Sequence, residues 1–247
     1  MSKTKIKNFL IQILSYFILS KRKRKKFRKN HKYISLANNN KILFVREDGT
    51  EKLIKHKIEN LNITFSGKNN TLKISDIITN SLNICFAGND SIIEIYGKNS
   101  NLNLYTANNC SFTLEKNSYM TLSKIHMDDN NCKVHIGKNC AISWNTTFMP
   151  ADAHTILENS KITNHPKPII IGDHVWIGCN TSFTKGVTIA SNNIIGMQSI
   201  VTKSFLTENN IIAGNPAKII RKNITWNIDA IYKYQEKLHL TASKNPS

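Results

Sequence analysis

Acidic residues are absent from the first 32 positions, where 12 of the 34 Lys and Arg residues fall. The rest of the chain carries 22 basic against 16 acidic side chains, so a formal charge of +18 shrinks to +6 outside that segment. A nucleic-acid binder spreads Lys and Arg along the face that tracks phosphates, so this distribution argues against a nucleic-acid partner. No CxxC pair occurs among Cys85, Cys110, Cys132, Cys140 and Cys179, and no A-x-A-like cleavage site follows the early apolar run. The expectation is free thiols in a reducing, cytoplasmic setting. His126, His135, His154, His165 and His174 include no tight pair such as H-x3-H, so no metal site is expected. The apolar run from Phe9 to Leu19 is shorter than the roughly 20 residues of a spanning helix. It is followed at once by the basic cluster Lys21–Lys29. An apolar helix beside such a cluster can lie on an anionic membrane face, each basic side chain adding about 1 kcal/mol. A helix docked on the domain beside a solvated charge run is the other reading.

What is present is ordinary globular composition, 40% hydrophobic and 20% charged over 247 residues, enough for a sizeable core. Two short apolar runs, Lys41–Arg46 and Lys52–Lys55, flank Asp48-Gly49, a dipeptide whose two positions tolerate positive φ and which predicts a lead-in hairpin. From Leu61 onward no helical period appears. Short alternating runs recur instead (Ile63/Phe65, Leu72/Ile74, Leu82/Ile84/Phe86, Ile93/Ile95, Leu102/Leu104, Phe112/Leu114), separated by Asn, Ser, Gly and Lys. The second half tightens to a strict period of six: Ile171, Ile177, Phe183, Ile189, Ile195 and Val201, with Ile136, Ile142 and Phe148 in register upstream. Just after these positions stand Gly137, Gly172, Gly178, Ala190 and Gly196, as expected of tight corners with no room for a large side chain. Such hexads predict a parallel β-helix, each coil of three short strands placing one aliphatic residue inward per face.

The segments Ile169-Ile-Ile-Gly-Asp-His-Val-Trp-Ile-Gly178, Lys185-Gly-Val-Thr-Ile189, Ser199–Lys203 and Ile212-Ala-Gly-Asn-Pro-Ala-Lys-Ile-Ile-Arg221 resemble the hexapeptide-repeat acyltransferases. Within that family the chain is similar to the capsular polysialic acid O-acetyltransferases, on Asp152-Ala-His154, Glu158-Asn159, Asn164-His165 and Val175-Trp176. The resemblance runs from about Leu61 to Trp226, dense after residue 135 and faint before it. It implies an all-β fold, a left-handed parallel β-helix of hexapeptide repeats with short N- and C-terminal helices. The expected organisation is a basic amphipathic segment at 1–35, the hairpin at 36–60, the β-helix at 61–222, and a C-terminal helix and tail at 223–247 that caps the prism end.

His154 continues the register of Ile136, Ile142 and Phe148, yet the next hexad begins seventeen residues later, out of phase, at Ile171. A loop must therefore leave the prism. It holds Asp152, His154, Glu158 and His165, with Pro166 and Pro168 closing it, and loops on rigid scaffolds are where site residues gather. Acetyl transfer to a sugar hydroxyl needs a base, oxyanion donors and a slot for the CoA arm, and a neutral imidazole suits the first. The resemblance assigns His154 as that base, in direct transfer without an acyl-enzyme. Asp152 would orient the imidazole or contact the sugar, and Glu158 and His165 would contact substrate. Trp176 follows inward-facing Val175 and is expected to point out of the prism, near the CoA arm by resemblance. Carried over by position, Cys179, Met197, Thr202 and Lys203 would line acetyl-CoA, with Lys218 and Arg221 near its phosphates. Met197 and Cys179 replace small residues common in related acetyltransferases, and Thr202 stands where some capsule enzymes have Tyr. The implied partners are a polysaccharide acceptor, two further copies of the chain in a homotrimer, and peripheral association with the inner membrane face or capsule machinery. A small-molecule or nucleotide-sugar acetyltransferase and a non-catalytic β-solenoid scaffold stay open as other readings.

Overall fold

The computed structural model describes residues 36–55, 58–75 and 81–244. The basic segment 1–35, with the helix and membrane contact expected of it, lies outside the described residues. From Lys41 the chain winds through three sheets of eight, seven and seven strands, visited in the same order on every full coil. The inward residues stack in register. On face one Leu72, Ile93, Phe112, Val134 and Ile169 lie one above the next. On face two the stack is Met120, Ile142, Ile177, Ile195 and Ile212. On face three it is Ile84, Leu104, Ile125, Phe148, Phe183 and Val201. The result is a left-handed parallel β-helix of about seven turns.

The hexad residues form the core because each faces inward on a two- or three-residue strand, and Ile171, Ile177, Phe183, Ile189, Ile195 and Val201 are all buried. Burying each such side chain contributes about 1.5–3 kcal/mol. Phe148 and Phe183 stack with ring centroids 4.8 Å apart and planes within 2°. The glycines after the hexad residues answer to space: a Cβ on Gly178 would lie 2.5 Å from the Met197 nitrogen, and one on Gly172 2.7 Å from that of Ser191. The corners themselves are turned by asparagine. Between faces one and two, Asn117, Asn139, Asn192 and Asn209 all hold the left-handed conformation, which Asn tolerates better than other side chains, and His174 takes the same role in one coil.

The lead-in hairpin forms as expected, Lys41–Val45 pairing antiparallel with Glu51–Leu53. Only Gly49 has positive φ (82°), and the Asp48 carboxylate accepts from the Thr50 amide at 2.9 Å and hydroxyl at 2.7 Å. The same Lys41–Val45 strand also begins the parallel ladder of face one, through Ile42 opposite Leu72. The cysteines are free. Cys110 continues an interior polar ladder, its amide donating to Ser91 Oγ at 3.0 Å, while the Ser91 amide donates to Asn70 Oδ1 at 2.9 Å. Burial pushes the Cys140 thiol up to about 11, so at neutral pH it stays protonated and unreactive.

At the far end Asn210–Gly214 completes face two, and the antiparallel strand Ala217–Lys222 covers its edge. The helix Ile231–Lys244 forms as its spacing predicts. Its Ile231, Tyr232 and Leu238 side chains are exposed. Pairing of Ala217–Lys222 with Asn210–Gly214 satisfies the open backbone groups of that edge directly.

Candidate active site

Residues 150–168 replace one tight corner between faces three and one. Met149 ends a face-three strand and Ile169 opens the next strand of face one, and the excursion leaves the ladder intact, Phe148 still pairing with Phe183. The loop is closed at its base by the Lys167 amide donating to the Pro150 carbonyl at 3.0 Å, and by the Gly186 amide donating to that of Pro168 at 3.1 Å. Its tip is a hairpin, Leu157–Glu158 against Lys161–Ile162, turned by Asn159 and Ser160 at positive φ.

His154 stands exposed on this loop, and its backbone is held from both sides. Its amide donates to the Asp152 carbonyl at 2.7 Å, and its own carbonyl accepts from Asn164 Nδ2, also at 2.7 Å. Asn164 Nδ2 also reaches Asp152 Oδ2 at 3.0 Å, and Asn164 Oδ1 accepts from the Ile156 amide at 2.8 Å. The third member is Lys185 from the neighbouring coil, whose ammonium pairs with the Asp152 carboxylate and donates to the Asn164 carbonyl at 3.0 Å. Lys185, and after it Asn164, hold the Asp152 carboxyl below its ordinary range. Asp152 is thus engaged by Lys185 and Asn164, and its contact with His154 runs through the backbone, so it fixes the loop. Glu158 and His165 lie exposed on the same loop.

Trp176 stands on face two, in register between Ala141 and Ile194, and is 42% exposed. Beside it lies a group the sequence reading did not single out. Trp226 stacks on the His174 imidazole, centroids 4.3 Å apart and planes within 8°, and its indole N–H donates to the His174 carbonyl at 2.9 Å. His174 Nδ1 is in turn paired with Asn192 Oδ1 at 3.0 Å, and Trp226 tilts toward Trp176 at 6.0 Å. The readable signal was His174 itself, an imidazole at a corner where the other coils place Asn. Lys185 and Asn164 were likewise absent from the expected site residues, because their partnership joins positions 21 apart across a loop.

The remaining expected positions fall into two groups. Cys179 and Met197 occupy successive corners between faces two and three, joined by the Gln198 amide donating to the Cys179 carbonyl at 2.9 Å; Cys179 is buried and Met197 is exposed. Lys218 and Arg221 are exposed on the edge strand of face two, opposite Ala213 and Ile211. Thr202 and Lys203 lie at the corner between faces three and one, the corner from which the His154 loop leaves, with the Lys203 ammonium 5.8 Å from the Phe205 ring centroid. One chain therefore places Trp176, Cys179, Met197, Lys218 and Arg221 on or beside face two, and Asp152, His154, Glu158, His165, Thr202 and Lys203 at the corner opposite it. Among the described residues no group of three His, Cys, Asp or Glu side chains is placed to hold a metal ion.

Residues 168–203 match the model of the bacterial transferase hexapeptide family, six repeats. Over 172 residues the chain is 35% identical to a polysialic acid O-acetyltransferase of Neisseria meningitidis, an alignment covering 69% of this chain and 71% of that protein. The chain belongs to the hexapeptide-repeat acetyltransferase family. It is also 34% identical over 110 residues to the galactoside O-acetyltransferase of Escherichia coli K12, covering 36% of this chain and 54% of that protein. Among solved structures, the polySia-specific acetyltransferase NeuO superposes with a TM-score of 0.64 at 26% identity, covering 81% of this chain and 95% of that one. The polysialic acid O-acetyltransferase OatWY superposes at 0.62, with the same identity and coverage. Within the family, the hexad half of this chain carries the matched repeats. No helix among the described residues is long and apolar enough to cross a membrane.

Proposed function

We propose that this protein transfers an acetyl group from acetyl-CoA to a hydroxyl of a bacterial capsular or other surface polysaccharide, one containing sialic acid, with His154 as general base. The observation that carries this reading is the Lys185–Asp152–Asn164 brace, which fixes the backbone on both sides of His154 while leaving the imidazole exposed to a reactant. Neutral imidazole takes the proton of the acceptor hydroxyl as its oxygen attacks the thioester carbonyl carbon. The C–S bond then breaks, and the departing CoA thiolate recovers the proton from the imidazolium. Asp152 acts by holding the loop, Glu158 and His165 face the acceptor, and Trp176 flanks the reacting thioester. Cys179, Met197, Thr202 and Lys203 line the CoA arm, and Lys218 and Arg221 meet its phosphates.

The site needs more than one chain, because His154 and Trp176 lie on opposite sides of the prism. From Ala141 onward the outward ladder of face two, Ala141, Trp176, Ile194 and Ile211, is apolar, whereas that of face one includes Lys73, Glu94, Thr113 and His135. The loop carries exposed Ile156, Leu157 and Ile162. A homotrimer that seats the loop of one subunit against face two of the next would bury both and complete three sites. The basic segment would hold this cytoplasmic enzyme at the inner membrane face, beside capsule synthesis.

The test is acetyl-CoA with a panel of capsular polymers and their oligosaccharides, read by CoA release and product mass, with His154→Ala alongside. Acceptor-dependent acetylation by the parent and not by the variant is expected. Equal rates in the two would overturn the mechanism, and preference for a monomer or nucleotide sugar would favour the small-molecule reading, to which the likeness to galactoside O-acetyltransferase points.

A further inference from the structure

At a different corner from the one the His154 loop leaves, the N-terminal coils form an open groove of about 970 Å³ between faces one and two. Arg46 lines it from the hairpin, Tyr96 and Lys98 from the coil above, and Lys116 and Tyr119 from the coil after that. Glu47 is the carboxylate among its lining residues. No carboxylate of the described residues lies within ion-pair distance of Arg46, Lys98 or Lys116. Lys73 behaves differently: outside the groove, it is paired with both Glu51 at 3.0 Å and Glu94 at 3.3 Å. The cations of the groove are therefore available to an anionic ligand.

The aromatic rings supply the second half of the chemistry. Tyr96 is half-buried and donates its phenol to Glu94 Oε1 at 3.0 Å, which fixes the ring, while Tyr119 is 38% exposed. Tyrosine rings pack on the apolar faces of sugars, and Lys and Arg meet carboxylates, so this set of side chains matches a chain of acidic sugars better than a simple polyanion. The groove also points at the site. Lys98, Tyr119, Ala141 and Trp176 are successive partners on one outward ladder of face two. With a ladder spacing of about 4.8 Å, Tyr119 stands about 10 Å from Trp176 and Lys98 about 14 Å.

We propose that this groove is a distal subsite for an anionic polysaccharide, in which Arg46, Lys98 and Lys116 meet its carboxylates and Tyr96 and Tyr119 its sugar rings. The proposal deepens the function above and rests on it for the identity of the acceptor. A polymer bound at the transfer site extends along the corner into the groove; an acceptor of one or two sugars does not reach it.

The test uses the full chain and fluorescent polysialic acid in equilibrium dialysis, with polyglutamate as a sugar-free polyanion and dextran as a neutral glycan. The Lys98→Glu/Lys116→Glu pair is expected to weaken polysialic acid binding at least tenfold and to raise KM for polymer acceptors. KM for short oligosaccharides, acetyl-CoA binding and the unfolding temperature should stay as in the parent. Tyr119→Ala is expected to weaken polysialic acid binding severalfold and leave polyglutamate unaffected. Unchanged polymer binding in the charge-reversed pair, or in the milder Lys98→Ala/Lys116→Ala pair if the first fails to fold, overturns the subsite. Polyglutamate binding as tight as polysialic acid, with both lost in parallel, overturns its assignment to sugar. The two proposals fail separately: normal acetylation with binding indifferent to these variants removes the groove alone, and polymer binding lost in the variants of a protein that transfers no acetyl group removes the enzyme alone.

Discussion

The N-terminal and C-terminal coils build the same prism by different means. Before residue 135, face-one partners such as Leu72, Ile93, Phe112 and Val134 are 19 to 22 residues apart, and most strands run four or five residues. From Ile169 to Val201 the spacing is 18 on every face, as in Ile170 to Thr188, Trp176 to Ile194 and Ser182 to Ile200, with strands of two or three residues. Longer coils leave uneven corners, and the open groove lies there. Three hexads per coil leave no slack, so the corner residues keep fixed positions and a loop can be ejected without disturbing the rungs on either side. The difference teaches that the regular half is where reacting groups can be placed, and the irregular half is where a long ligand finds room.

The largest effect expected to sharpen that contrast is on activity. His154→Ala should lower the acetyl-transfer rate by about 10²–10⁴-fold. His126→Ala, a half-buried histidine of the irregular half 3.8 Å from Asp128, should change it less than about twofold. Steady-state kinetics of the two variants side by side gives the comparison, and similar losses in both would break it. On stability, Phe183→Ala should cost about 3–5 kcal/mol, since the ring is buried and stacked on Phe148. Phe65→Ala, in a half-buried ring stacked on Phe86 at 5.0 Å, should cost about 1–2 kcal/mol, both read from denaturant midpoints.

These expectations show what could be read from residues alone. The hexads at Ile171 through Val201 were legible because one inward residue per face imposes a period of six, and the ejected loop was legible as the place where that period breaks. The hairpin at Asp48-Gly49 was legible from the dipeptide, which does not reveal that Thr50 binds the Asp48 carboxylate. The C-terminal helix was legible from its spacing, which tells which side chains share a face and not what meets them. The brace on His154 was invisible for a related reason. Lys185 and Asp152 are 33 residues apart, and only the closing of the prism brings them together.

A smaller effect probes that brace. Lys185→Ala should lower transfer about tenfold through a displaced loop while moving the unfolding temperature little, and Lys185→Arg should restore part of it. Trp226→Phe should keep the stack on His174 and lose the hydrogen bond to its carbonyl, so Trp226→Ala is expected to raise KM for acetyl-CoA more than Trp226→Phe does. Smaller again is the acid response. The folded-state pKa of Asp152 is lowered, so the stability its pairing adds is present above the ordinary carboxylate value of about 3.9 and is lost as pH falls through the lowered one. Because the pair is partly exposed and screened, the loss is at most about 1 kcal/mol, measured as the difference in acid unfolding between the parent and Asp152→Asn.

The central claim, that His154 of one subunit and Trp176 of its neighbour form a single acetyl-transfer site, is tested most directly by complementation. His154→Ala and Trp176→Ala chains, each inactive alone, are co-expressed and purified together through two different tags. Random assembly into trimers pairs an intact loop with an intact face two in about one quarter of sites, so acetyl transfer to the polymer should recover to about that fraction of the parent rate. A mixed assembly no more active than either variant alone would contradict the account.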